Sequence, residues 1–151
     1  MSTIGFDTSN YTTSTAWTDG KTDINVRQIL YVKDGERGIR QSDGVFQHMK
    51  LMPVMYEKLS EQIDFKDVKA VGVSTRPRCV EGSYMPVFLA GEGYAKVVAN
   101  TVGVPLYKFS HQDGHIMAGI YSSGSFELLE NDFISVHLSG GTTEILKSRY
   151  N

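Results

Sequence analysis

Three short segments carry side chains suited to gripping a metal ion or a phosphate: Gly5-Phe6-Asp7-Thr8-Ser9, His111-Gln112-Asp113-Gly114-His115 and His137-Leu138-Ser139-Gly140-Gly141-Thr142-Thr143-Glu144. His111 and His115 stand four residues apart, so on a helix their imidazoles lie one above the other and can reach one ion. The same spacing also arises on solvated helices that bind nothing. Asp7, the candidate catalytic carboxylate, is followed by the hydroxyls of Thr8 and Ser9 at a turn where an anion or hydrated cation could sit; an ordinary Asx turn uses the same residue types. Ser139, Gly140, Gly141 and Thr142 repeat that chemistry, because glycine lets the backbone approach a phosphate while amides and hydroxyls donate to it. A plain hairpin turn is the alternative there. Asp113 reads as a first-turn carboxylate that complements the helix dipole. Arg76 and Arg78, flanking Pro77, could take a phosphate bidentately or form a solvated basic turn.

The elements that would position these residues follow from hydrophobic period and turn signals. Ile4 and Phe6, then Thr12 to Trp17, then Val26 to Val32 predict a three-strand meander, with Asp19-Gly20 as a turn. Gln41-Ser42-Asp43 can cap a helix with apolar positions Val45, Phe46, Met49, Met52, Met55 and Leu59, which Pro53 should kink or divide. Met49, Met52 and Met55 read as core, and His48 as a partly exposed structural histidine. Val68 to Ser74 predicts a buried strand feeding an irregular Thr75-Arg76-Pro77-Arg78 loop. A second helix begins near Pro86 and runs to about Asn100, with Gly91 and Gly93 permitting close backbone approach. Val104 to Tyr107 is a short strand, Ser110 caps a helix starting at His111, and Phe133 to Leu138 with Thr143 to Leu146 forms a hairpin. The order is α/β with a mixed sheet over residues 1–124, followed by a hairpin over 131–151 that reads as the opening of a second lobe.

Bulk properties bound the partners. At 151 residues and 40% hydrophobic content the chain can bury one core. A net charge of -2 provides no global basic field for nucleic acid. No run approaches the about 20 apolar residues of a membrane helix, and no secretory leader is evident. The lone Cys79 excludes an internal disulfide, so a cytoplasmic setting is expected.

The three segments, in this order, resemble the amino-terminal half of the glycoprotease (O-sialoglycoprotein endopeptidase) family, whose best-understood members transfer threonylcarbamoyl to adenosine in tRNA. The resemblance runs over nearly the whole chain. Gly5 to Ser14 is similar to the family's first phosphate motif, Gly82-Ser83 with Ala95-Lys96 to its Gly-Ser and Ala-Lys stretch, and Ser139 to Glu144 to its second phosphate motif. His111 to His115 is similar to its metal motif, with Asp113 in place of Glu. The resemblance implies the actin-like ATPase (ribonuclease H-like) fold, with a nucleotide (ATP or threonylcarbamoyl-adenylate) and a divalent metal, iron or zinc, between two lobes. It implies His111 and His115 as ligands, joined in the family by an aspartate of the distal second lobe. Where some members carry a tyrosine two residues before Ser-Gly-Gly, this chain has His137, which could supply a third nitrogen.

Asn10 to Thr13 and Arg76-Pro77-Arg78 depart from the family pattern and mark a divergent paralogue. The expected function is therefore the amino-terminal part of a metal-dependent, nucleotide-using transferase, inactive alone, with tRNA reached through a full-length protein or partners. The competing expectation is a noncatalytic scaffold of the same fold that forms a homodimer or pairs with a related one-lobed partner. A metallopeptidase ranks third, because no Glu directly follows His111 to act as general base.

Overall fold

The computed structural model describes residues 1–138 and 143–150, which divide into two compact units, Met1–His111 and Gln112–Asn151. The third helix, placed with the first lobe in the sequence reading, is thus grouped from Gln112 onward with the hairpin. Among the described residues no helix is long and apolar enough to cross a membrane.

The first unit is a five-stranded mixed sheet in the order β3-β2-β1-β4-β5, built from β1 (Ser2–Asp7), β2 (Thr12–Thr18), β3 (Asp23–Ile29), β4 (Val68–Arg76) and β5 (Leu106–Ser110). β1, β2 and β3 form the predicted antiparallel meander, whereas β4 pairs parallel to β1 and β5 parallel to β4. Two helices, α1 (Gln41–Ser60) and α2 (Phe88–Val102), supply the apolar partners of one sheet face. Ile4, Phe6, Val71 and Val73 point to that face by the period-2 alternation and meet Met52 and Leu59 of α1 and Ala95, Val98 and Ala99 of α2. Asp7 and Ser74 fall on the alternate positions, at the carboxyl ends of β1 and β4.

Several boundaries differ from expectation. β3 begins at Asp23 because Asp19 closes the turn tightly, accepting the amides of Lys21 and Thr22, so pairing resumes at once opposite Thr18. The apolar signal around Val32 reflected Leu30, which is buried beyond the strand's end. β5 starts two residues late because Gly103, at φ 77, closes α2 in the left-handed conformation and Val104 still bonds back to Ala99. β4 carries Thr75 and Arg76, and Arg76 pairs with Ser110. α1 has no side-chain cap at its start, and it runs unbroken through Pro53. Proline leaves the carbonyl four residues back without its helical donor, and here the Tyr94 hydroxyl of α2 donates to the Met49 carbonyl at 2.9 Å. Met52 and Met55 are core, but Met49 is 48% exposed, since the helix turns it away from the sheet.

Gly91 bears out the close-approach reading. A Cβ there would lie 2.8 Å from the Thr8 hydroxyl oxygen, whereas Gly93 faces open space and has no such constraint.

The second unit holds α3 (His111–Ser123) from Gln112 on, a 3-10 turn at Phe126–Glu130, and a two-stranded antiparallel sheet of β6 (Phe133–Leu138) and β7 (Thr143–Ser148). The expected hairpin is present and extends to Ser148.

Candidate functional site

β1, β4 and β5 run parallel, so their carboxyl ends lie side by side, where α/β folds gather their sites. Asp7 ends β1, and His111 follows the last residue of β5. Their side chains meet, with Asp7 Oδ2 2.8 Å from His111 Nδ1, although 104 residues separate them. The other oxygen, Asp7 Oδ1, accepts the Ser9 amide at 2.7 Å, which is the Asx turn. Burial works to raise the Asp7 carboxyl, but the hydrogen bond and charge of His111, the Ser74 hydroxyl and the Ser9 amide outweigh it and hold the group below its ordinary value of 3.8. The Phe88 ring stands 6.2 Å from that of His111, centroid to centroid.

Around this pair the turn after β1 is rigidly tied to the helices. Thr8 is fully buried; its hydroxyl donates to the Val87 carbonyl at 2.8 Å and accepts the Gly91 amide at 3.0 Å. Its side chain is therefore engaged inside the fold, and Ser9 is the half-buried hydroxyl of the segment. Asn10 Oδ1 accepts from Gln41 Nε2, while Gln41 Oε1 takes the Val87 amide. His48, expected to be partly exposed, is fully buried, and its Nδ1 lies 2.7 Å from the Thr13 hydroxyl. Burial pushes its imidazole down to about 4, against the opposing pull of the Asp7 charge and the Ser9 backbone. Its position on the sheet-facing side of α1 explains the difference.

Within the second unit, His115 of α3 and His137 of β6 approach to 5.2 Å between ring centroids, tilted by 58°. Glu144 stands opposite His137 in the hairpin register, with its Oε2 3.8 Å from His137 Nδ1. That same oxygen accepts Gln112 Nε2 at 2.7 Å, tying the start of α3 to β7. Nδ1 of His137 is buried and makes no hydrogen bond among the described residues. A groove of about 440 Å³ runs beside these rings, lined by Ile116, Ile120, Leu128 and Phe133 among others.

His111 thus falls in the first unit and His115 with His137 in the second. Among the described residues, no three His, Cys, Asp or Glu side chains cluster as a metal-holding group. Ser139, Gly140, Gly141 and Thr142 lie outside the described residues. Arg76 reaches Cys79, its Nη2 3.5 Å from the exposed Sγ. Sequence reasoning missed Ser74 and, though both lie in the named segments, gave Gln112 and Glu144 no role of their own. Ser74 could have been found from its place at the end of an apolar run, and Glu144 by counting register across the hairpin from His137.

Residues 35–151 match the family described as TsaD: tRNA N6-adenosine threonylcarbamoyltransferase. A tRNA N6-adenosine threonylcarbamoyltransferase of Christiangramia forsetii is 31% identical over 98 residues, which is 64% of this chain and 27% of that protein. One from Pyrobaculum calidifontis is 28% identical over 144 residues, 94% of this chain and 40% of that protein. The chain therefore spans well under half the length of these curated relatives. Among solved structures, YeaZ from Pseudomonas aeruginosa superposes with a TM-score of 0.55 at 13% identity, covering 98% of this chain and 65% of that one. A P. aeruginosa protein described as similar to peptidase YEAZ gives 0.56 at 12% identity, over 97% and 64%. This likeness bears on the fold, which is the actin-like, ribonuclease H-like α/β class seen in the meander and the parallel β4 and β5. The sequence match over three quarters of its length makes this chain a divergent member of the TsaD family.

Proposed function

We propose that the chain is the amino-terminal part of a metal-dependent, nucleotide-using threonylcarbamoyltransferase acting on adenosine in tRNA. In this reading His111, His115 and His137 hold a divalent ion, iron or zinc. Ser9 with the turn pinned by Thr8, and Ser139, Gly140, Gly141 and Thr142, take the phosphates of ATP or threonylcarbamoyl-adenylate. The observation that supports it most is the Asp7–His111 pair at the adjoining carboxyl ends of three parallel strands in a chain of this family.

The donor chemistry fits such an ion. Imidazole nitrogens suit zinc and iron. A carboxylate occupies Nδ1 of His111, so ligation falls to Nε2, the usual arrangement in metal-binding histidines. His137 has a buried nitrogen that no group among the described residues satisfies. When bound, the ion supplies a Lewis-acidic charge for a carbonyl or phosphoryl oxygen. In this reading turnover and tRNA binding belong to a longer polypeptide, which is supported by the chain's spanning 27% and 40% of the two curated relatives' length. A cytoplasmic location follows from the same reading.

Isothermal titration of zinc, and anaerobically of iron(II), into the wild type and the His111→Ala His115→Ala double variant tests the metal. A large loss of affinity is expected; equal affinities would remove this reading.

One observation favours the second reading, a dimerising scaffold. The hairpin turns Ile134, Val136, Leu138 and Ile145 outward at 60% to 75% exposure, an apolar stripe along one two-stranded face of the kind that can serve as an interaction surface. Sedimentation before and after chelation separates the two, since a metal-free dimer that binds no adenylate favours the scaffold.

A further inference from the structure

An Asx turn accounts for only one oxygen of Asp7. Oδ1 is taken by the Ser9 amide at 2.7 Å, but Oδ2 reaches the ring of a residue 104 positions away, and the Ser74 hydroxyl helps to hold the same carboxyl below its ordinary value. The backbone beneath it is fixed by Thr8, which is locked between Val87 and Gly91. A carboxylate so fully engaged is poorly placed to accept a proton from a substrate. We infer that Asp7, supported by Ser74, is a positioning residue for His111: it holds the proton on Nδ1 and so leaves Nε2 as the unprotonated nitrogen of the neutral ring.

A neutral imidazole donates from one nitrogen and accepts at the other, and the hydrogen bond at Nδ1 decides which. An ionised carboxylate only accepts, so Nδ1 must carry the hydrogen. The surroundings also dictate what asparagine would do at position 7. The Ser9 amide needs an acceptor, so the asparagine oxygen takes the Oδ1 place and its NH2 group faces His111 Nδ1. The ring would then be protonated on Nε2, as when the aspartate behind a catalytic histidine is replaced in serine proteases. The consequence for ligand binding rests on the metal reading above, whereas the tautomer does not.

The experiment is long-range ¹H–¹⁵N NMR of metal-free protein at pH 8, with His111 assigned by His111→Gln, together with zinc titration of the wild type and Asp7→Asn. The wild type should show Nδ1–H and Asp7→Asn Nε2–H, with zinc affinity reduced roughly 10- to 100-fold. A wild-type ring protonated on Nε2 overturns the inference and needs no variant to fold. So does Asp7→Asn that retains Nδ1–H, or one that switches tautomer yet binds zinc as tightly as the wild type. If the wild type binds no zinc, the metal reading fails by itself, and the pair of tautomers still decides whether Asp7 orients His111.

Discussion

His48 should make this protein acid-sensitive in a defined window. It is fully buried on α1, its Nδ1 meets the Thr13 hydroxyl at 2.7 Å, and among the described residues its Nε2 has no partner within hydrogen-bond geometry. Burial lowers its pKa from the ordinary 6.5 to about 4. Between those values the unfolded chain binds a proton here that the folded chain refuses, so stability falls as the pH drops from 6.5 towards 4 and does not fall further through this group below that. The slope approaches ~1.4 kcal/mol per pH unit and the total is ~3 kcal/mol, a large share of a small domain's stability. His48→Gln removes the titration while its amide can still meet Thr13. Urea unfolding of both proteins, followed through Trp17 fluorescence at several pH values between 7.5 and 4.5, isolates the effect, because every other group titrates in both. The stability difference between them should move by ~3 kcal/mol in favour of the variant as the pH falls. Parallel pH profiles, or an NMR titration of His48 near 6.5 in the folded protein, would refute the reasoning.

Gly91→Ala should destabilise by ~1–3 kcal/mol through collision with Thr8, although alanine is the better helix former. Gly93→Ala, into open space on the same helix, should stabilise by ~0.5–1 kcal/mol; thermal unfolding in which both move the same way contradicts the close-approach account. Tyr94→Phe should cost ~1 kcal/mol by orphaning the Met49 carbonyl, and much of that cost should vanish in a Pro53→Ala background where the helix regains its own donor. A double-mutant cycle in denaturant reads that coupling directly. Met52→Ala, at a side chain with no exposure between sheet and helices, should cost ~2–5 kcal/mol by the same measurement.

The order and class of the elements could be read from the sequence because each rests on a local signal. The meander follows from Asp19-Gly20 between alternating runs, the parallel strands from apolar runs separated by helices, and the hairpin from two strand runs about a Gly-Gly pair. What could not be read were quantities settled by a distant partner. Pro53 announces a broken helix to any local rule, yet the hydroxyl that repairs the break belongs to Tyr94. His48 sits in a helical pattern that leaves its face ambiguous, and only the packing of α1 against β2 buries it.

The same division runs through the candidate site. Residue types and spacing single out Asp7, His111, His115 and His137 as candidates, since the chain has only four histidines and three of them lie in motif-like intervals visible along the chain. Pairing was not visible. His111 and His115 are paired by their spacing of four, and no spacing shows that His111 also meets Asp7, brought to it by three parallel strands ending together. Asp7 reads from its motif as the candidate catalytic carboxylate, and what the motif cannot show is that its two oxygens meet the Ser9 amide and the His111 ring. Thr8 reads as a phosphate donor, and its hydroxyl also pins the turn after β1 to the start of α2. In a sheet whose strands arrive from remote parts of the chain, a polar residue's role is set by what ends beside it. Register across β1, β4 and β5 therefore carries information about chemistry that no motif in any one of them contains.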